Sequence, residues 1–411
     1  MTSSQSRAGQ RSETIHRSNL AAIACEIHRN GALSRSELVA RTGLTRGAIR
    51  VLIGELTELG LVSEESAAAL GTPGRPSSLV EPRKSGAVVL AIDIAVDSMA
   101  GAIVGFGGEI LDTVRVDRPR GRISADQTVA DSVEIAQMLL DRTGLRQALV
   151  GIGVGVAGIV RRSDGLVHIA PNLQWRDVPL GGRLARALNA AVPLVVANDA
   201  DLGALAEHQR GAAVHADNVI YLSGEVGVGG GVIVDGRRLA GAAGYAGEVG
   251  HIPVNPDGVA CRCGSYGCLE TEIGEGALLR RAGHAAGGGR SAVDRVMAEA
   301  AEGAPAALNA LEITGRWLGV GLVALTNIFD PEVIVLGGLF GRLHPFVAAS
   351  VEAELDRRAL RASRELVRVV PSKLGVGATL VGAAELAFEP LLCDPISWTQ
   401  TRAAPPIPQA M

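Results

Sequence analysis

Apolar residues recur with a helical period at Leu20, Ile23, Ala24 and Ile27, and again at Ile49, Leu52, Ile53, Leu56 and Leu59. Positions three and four apart share one face of a helix, so the pattern predicts amphipathic helices over about 18–30 and 45–60. Asn30-Gly31 ends the first. Ser34, with Glu37 three residues later, predicts a capping box and a short middle helix that ends near Thr42-Gly43. Short apolar runs at 61–63 and 78–80 predict two strands flanking a loop rich in Gly and Pro. Three short helices with a Gly-containing turn before the third, followed by such a hairpin, predict a winged helix-turn-helix over residues 14–82. Residues 1–13 are polar and aperiodic and are expected to be a disordered tail.

Beyond residue 83 the pattern changes to buried strands. All-apolar or Gly-interleaved runs at 88–94, 103–106, 110–116, 149–156 and 193–197 predict one set, with helices over 125–142 and 201–210. A second set follows at 219–223, 230–234, 238–240 and 333–336, with a helix over 306–328 that starts just after Pro305. Strands first, then helix and strand, twice over, predicts a duplicated α/β domain over 83–392, with a lobe boundary near residue 199 and a cleft between the lobes. The Pro-rich end, 393–411, reads as a loose tail. At 411 residues the chain is too long for one ordinary core, which agrees with this division.

Charge separates the head from the body. Residues 1–50 carry eight Arg against three Glu, a balance of +5, while the whole chain is −4. A basic head on an acidic body points to nucleic acid. Thr45, Arg46, Gly47 and Arg50 lie at the start and on the outer face of the third helix, the end that reaches base edges in such motifs. In the wing loop, Arg75 stands in Pro73-Gly74-Arg75-Pro76, a stiff extended arm suited to a narrow minor groove; a plain interdomain linker is the alternative.

Three of the five cysteines, Cys261, Cys263 and Cys268, fall in one Gly-rich loop, ten residues after His251. Thiolates and a neutral imidazole are the ligands that Zn²⁺ prefers, and four of them close a tetrahedral structural site. So few cysteines make no disulfide framework, which fits a reducing compartment. No signal-peptide pattern and no apolar run of about 20 residues was found, so the expectation is a cytoplasmic protein with no membrane partner.

The segment G-E-V-G-H followed by C-R-C-G-S-Y-G-C-L-E-T resembles the signature of the ROK family of sugar kinases and sugar-responsive repressors, among them repressors of the xylose and N-acetylglucosamine type. The resemblance implies an actin-like, RNase-H-like pair of lobes with a sugar bound between them. It also implies sugar contacts at Asn198, Asp199, Glu248, His251 and Glu270, and at Asn172 in the segment P-N-L. In kinases of the family the residue matching Asp199 is the general base. The phosphate side departs from the kinase pattern. The D-x-G-G-T segment is replaced by Asp93-Ile94-Ala95-Val96-Asp97, and the G-T-G-x-G-G-G segment by Glu225-Val226-Gly227-Val228-Gly229-Gly230-Gly231. Each loop gains an acid where a polyanion would sit. At about 4 Å and an effective dielectric near 20, each such charge opposes a phosphate charge by about 4 kcal/mol. The expectation is therefore a repressor without enzymatic activity. It would be released from operator DNA by a sugar or sugar phosphate, hold structural Zn²⁺, and act as a homodimer or dimer of dimers. An ATP-dependent sugar kinase with an accessory head is the rival.

Overall fold

The computed structural model describes residues 3–65, 78–121 and 123–397. The head comprises α1 (Ser3–Asn30), β1 (Leu33–Ser34), α2 (Arg35–Thr42), α3 (Arg46–Glu58), β2 (Val62–Glu65) and β3 (Leu79–Pro82). The Ser34 hydroxyl accepts from the Glu37 N–H at 3.2 Å, and Glu37 accepts from the Ser34 N–H at 2.8 Å, so the capping box forms. Gly43, at φ +70°, closes α2 in the left-handed region that a glycine enters without strain. Thr45 caps α3 by accepting from the Ala48 N–H. Leu20, Ile23, Ile27, Ile49, Ile53 and Leu56 are all buried, forming the three-helix core that the periodicity predicts. The strands pair antiparallel in the order β1-β3-β2, so the wing has a third strand beside the expected two. One expectation is corrected. The first helix starts at Ser3, so residues 3–13 are helical rather than a disordered tail. That segment contains no proline, and its Gln, Arg and Ala are good helix formers. Arg75 falls in 66–77, outside the described residues.

The first lobe continues with β4 (Val88–Ile94), β5 (Ser98–Gly105), β6 (Ile110–Asp117), α4 (Ala125–Thr143) and β7 (Leu149–Val156). A small meander, β8 (Ile159–Arg161), β9 (Leu166–Ala170) and β10 (Trp175–Val178), is inserted before α5 (Leu180–Ala187), β11 (Leu194–Asn198) and α6 (Asp199–Arg210). The second lobe has β12 (Val219–Gly224), β13 (Val228–Val234) and β14 (Arg237–Arg238), then α7 (Leu269–Ile273), α8 (Glu275–Arg281), α9 (Gly289–Ala301) and α10 (Pro305–Phe329). It closes with β15 (Val333–Gly337), α11 (Gly338–Arg358), α12 (Arg361–Leu366), β16 (Arg368–Pro371) and α13 (Ala378–Cys393).

The two large sheets have one topology. In the order β11-β7-β4-β5-β6, the first three strands in sequence form an antiparallel meander, and β7 and β11 add in parallel. The order β14-β13-β12-β15-β16 repeats this arrangement strand for strand. The duplication expected from the order of elements is therefore present.

The last helix returns to the first lobe. α13 packs on β7 and α6, and the glycines interleaved in β7 make room for it. A Cβ at Gly153 would lie 1.9 Å from the Ala383 carbonyl oxygen, and one at Gly151 2.6 Å from that of Ala387. The stretch Gly375–Cys393 is long and apolar enough to cross a membrane by length and composition, contrary to the sequence expectation. Here it is a packed core helix: Leu380, Ala383, Ala384, Leu386, Ala387, Phe388 and Leu391 are buried. The head's apolar core runs on into this one without a break, through Leu20, Ile27, Phe106 and Phe388.

Candidate functional site

The cleft is built where strands end and helices begin. β11 ends at Asn198 and α6 starts at Asp199. The Asn198 amide oxygen accepts from the Ala200 and Asp201 N–H groups at 2.8 and 3.1 Å, and its Nδ2 donates to the Gly158 carbonyl at 2.9 Å. Asn198 thus caps α6 and fixes the direction in which Asp199 leaves the strand. Asp199 accepts from the Ala200 N–H at 3.0 Å. Burial, and behind it the carboxylates of Glu225 and Glu248, push Asp199 up to about 7. Asp93, at the end of β4, is pushed to about 7 as well, by burial and then by Asp199 itself. Two acids near neutrality in one water-poor recess can each hold a proton or accept one. That suits hydroxyl groups, which donate and accept in turn.

The other expected residues converge on the same side. The Glu270 Oε2 accepts from the Val228 N–H at 3.0 Å, and a Cβ on Gly227 would meet both Glu270 Oε2 and Asn172 Nδ2. The Asn172 oxygen is held by Arg262 Nη1 at 2.8 Å, a residue the sequence reading did not single out. Glu248 is raised by burial; the neighbouring His251 opposes that shift, and Glu270 adds to it. Asn172, Asp199, Glu248, His251 and Glu270 are therefore brought together by segments up to about a hundred residues apart in sequence.

His251, Cys261, Cys263 and Cys268 form the wall beside this cleft. Their ligand atoms all lie within 4.8 Å of one another. Cys261 Sγ is 3.7 Å from His251 Nδ1, and Cys263 Sγ is 3.7 Å from Cys268 Sγ. With metal–sulfur bonds of about 2.3 Å, the edge of a tetrahedron is about 3.8 Å, so the spacing and the donor set fit a four-coordinate cation. The loop needs its glycine at 267. It has φ +60°, and a Cβ there would lie 1.6 Å from the Asn255 carbonyl oxygen. Cys268 is the N-cap residue of α7, and Glu270 lies in the first turn of that helix. A metal held by Cys268 would fix the turn that presents Glu270.

The acids that the sequence reading singles out in the loops at 93–97 and 225–231 line adjoining cavities. A cavity of about 50 Å³ is lined by Asp93, Asp97, Asp199 and Glu225 with Arg115 and Arg290. It adjoins a larger one of about 230 Å³, bordered by Arg120, Glu225, Glu275 and Gly338. Arg120 bonds both Asp97, at 3.1 Å, and Glu275, at 2.8 Å. One guanidinium thus serves two carboxylates, and Glu225 faces Arg290, Arg120 and Arg115 in turn.

On the head, Thr45, Arg46, Gly47 and Arg50 are all exposed, along the start and the outer face of α3. Val51 is 57 % exposed on the same helix.

Residues 89–389 match the ROK family. The chain belongs to the ROK family. It is 30 % identical over 370 residues to the xylose repressor of Bacillus subtilis strain 168, covering 89 % of this chain and 94 % of that one. It is 32 % identical over 326 residues to a glucokinase of Streptomyces coelicolor, covering 75 % of this chain and 99 % of the kinase. Among solved structures, a ROK family transcriptional regulator described as a homologue of the Escherichia coli MLC protein superposes with a TM-score of 0.76 at 26 % identity, over 95 % of this chain and all of the other. The repressor-type relatives match the head and the ROK lobes together. The kinase is used up by three quarters of this chain.

Proposed function

We propose that this ROK protein is a sugar-responsive DNA-binding transcriptional repressor. The observation that carries the reading is a winged helix-turn-helix with exposed Arg46 and Arg50 on α3, docked directly on a lobe whose cleft gathers Asn172, Asp199, Glu248, His251 and Glu270. Carboxylates and an amide lining a half-buried recess match a polyhydroxylated ligand, because each accepts or donates in pairs, and an imidazole adds one ring nitrogen. The same order of head and lobes in the repressor relatives supports it.

In this reading α3 enters a major groove with Thr45 and Arg46 leading, and Arg50 reaches base edges or phosphate. Arg75 enters the adjacent minor groove. The protein pairs as a homodimer, or a dimer of dimers, on near-palindromic operators, and it works in the cytoplasm. Zn²⁺ is the ion that the His251, Cys261, Cys263 and Cys268 set would hold, supplying a structural cross-link to the loop that presents Glu270 and His251. His251 turns Nδ1 to the sulfurs, and its other ring nitrogen is the one free to bond a sugar hydroxyl. A sugar or sugar phosphate bridging Asp199 and Glu270 draws the lobes together. It shifts the DNA-bound equilibrium because it fits the closed arrangement better than the open one. The chain is not a kinase: Glu225 and Ala95-Val96 stand where ATP phosphates would need glycine backbone and a hydroxyl.

Thermal shift against D-xylose, D-glucose, N-acetylglucosamine, their phosphates and ATP–Mg²⁺ tests this, paired with gel shift on operator DNA selected from a random pool. One sugar should raise the melting temperature and release the DNA, with ATP silent. A clear ATP shift together with hexose phosphorylation would put the kinase reading in its place.

A further inference from the structure

The deepest polar cluster outside the cleft lies where the head meets the body. His28, in the last turn of α1, is completely buried, and its Nε2 is 3.1 Å from Glu385 Oε2 on α13. Its Nδ1 accepts from the Gly107 N–H at 3.0 Å, which assigns the proton to Nε2 and makes His28 the donor to Glu385. Glu385 Oε1 accepts from Arg210 Nε at 2.8 Å. The Nη1 of Arg210 donates to the carbonyls of Gly107, at 3.0 Å, and of Arg29 in α1, at 3.2 Å. Phe106 and Phe388 close over His28 with ring centroids 5.1 and 4.8 Å away. Burial alone would raise Glu385, but the hydrogen bond from His28 and the charge and bond of Arg210 outweigh it and hold the carboxylate below its ordinary range.

Arg210 is the last residue of α6, and Asp199 is the first. One helix, about 18 Å long at about 1.5 Å per residue, has its N-terminus in the ligand cleft and its C-terminus on the DNA-binding head. It is tied laterally as well. Glu207 accepts from the Ser372 hydroxyl and the Leu374 N–H of the second lobe, and a Cβ on Gly382 of α13 would lie 2.0 Å from the Leu202 carbonyl oxygen. A helix packed this closely moves as a unit and does not absorb displacement by bending. Among the described residues the Nη2 of Arg210 is buried with no hydrogen-bond partner, so this joint is short of its full hydrogen bonding.

We infer that α6 is the lever by which the state of the cleft reaches the head, and that Arg210, Glu385 and His28 are the positioning residues that transmit it. The inference rests on the repressor reading only for its purpose, since the mechanical coupling exists with or without DNA.

Hydrogen–deuterium exchange on the full-length chain tests it. Asn198→Ala strips the cap at the cleft end of α6. Exchange of the amides of residues 24–30 at the C-terminal end of α1, where it meets the body, should rise about threefold or more. In an Arg210→Lys background, which keeps the charge but loses the forked bonds, the same cap loss should change those amides by less than about 1.5-fold. If Asn198→Ala does not fold, Asn198→Asp keeps the cap, loses the bond to Gly158, and runs through the same comparison. Exchange in α1 that ignores the cleft-end change, or that responds equally in both backgrounds, overturns the lever. Neither DNA nor sugar enters this measurement, so failure of the repressor reading would show in the binding assays and leave this result untouched.

Discussion

Asp199→Asn is expected to make the protein more stable above neutrality while removing its response to ligand. Asp199 is raised from 3.8 to about 7, chiefly by burial. Because the folded value is the higher one, the fold favours the protonated acid. The stability gained by holding that proton is complete below about pH 4 and is lost as pH rises through about 7. Roughly three units at about 1.4 kcal/mol each put the strain of an ionised Asp199 at about 4 kcal/mol at pH 8. The side chain keeps some solvent contact, which brings the figure to about 2 kcal/mol. An amide in place of this carboxylate can still accept from the Ala200 N–H through its oxygen and carries no charge. Urea unfolding followed by circular dichroism should therefore show the Asp199→Asn variant more stable than the parent by about 2 kcal/mol at pH 8 and by less than half of that at pH 5. Thermal midpoints should differ by about 4 °C at the higher pH. Curves for the two proteins that run parallel from pH 5 to pH 8 would refute the assignment of a near-neutral acid to this position.

Cys263→Ser should release the metal, read as stoichiometry by elemental analysis, and should lower sugar affinity at least about tenfold as the turn carrying Glu270 loosens; full metal content in the variant would sink the four-ligand site. Gly153→Ala forces a methyl group to within 1.9 Å of the Ala383 carbonyl oxygen and should cost about 3 kcal/mol in urea, at the upper end for overpacking; an unchanged midpoint would mean that α13 does not press on β7 as described. Arg46→Ala combined with Arg50→Ala should weaken operator binding by about 100-fold with an unchanged circular dichroism spectrum; retained affinity would move the DNA contact off α3.

The parts of the fold legible in the sequence are those with local causes. The capping box at Ser34 and Glu37, the cap at Thr45, and the apolar period at Ile49, Leu52, Ile53 and Leu56 each state a helix within four residues of themselves. The ligand cluster was equally local, since its three cysteines lie within eight residues of one another. What escaped was set at long range. α13 looks like an indifferent apolar stretch with a proline at 390, and only the facing glycines of β7 reveal where it belongs. Arg262 was overlooked because its meaning depends on Asn172, 90 residues away. Glu385 gave a faint signal, an acid inside Ala-Ala-Glu-Leu-Ala, but its partners His28 and Arg210 lie on two other helices. The helical start at Ser3 was missed because helix propensity without an apolar stripe leaves no periodic mark.

The return of α13 to the first lobe also sets an order on the birth of the protein. The DNA-binding head is made before the surface it stands on, because α13 begins at residue 378, long after α1 ends at residue 30. A growing chain folds from its N-terminus, so the three head helices can form early, but they have no footing until Glu385 and Phe388 arrive to receive His28. A message cut short, or a ribosome stalled, before α13 yields a head that can meet DNA without being connected to the cleft. Synthesis of α13 is thus what places the head under the control of the ligand.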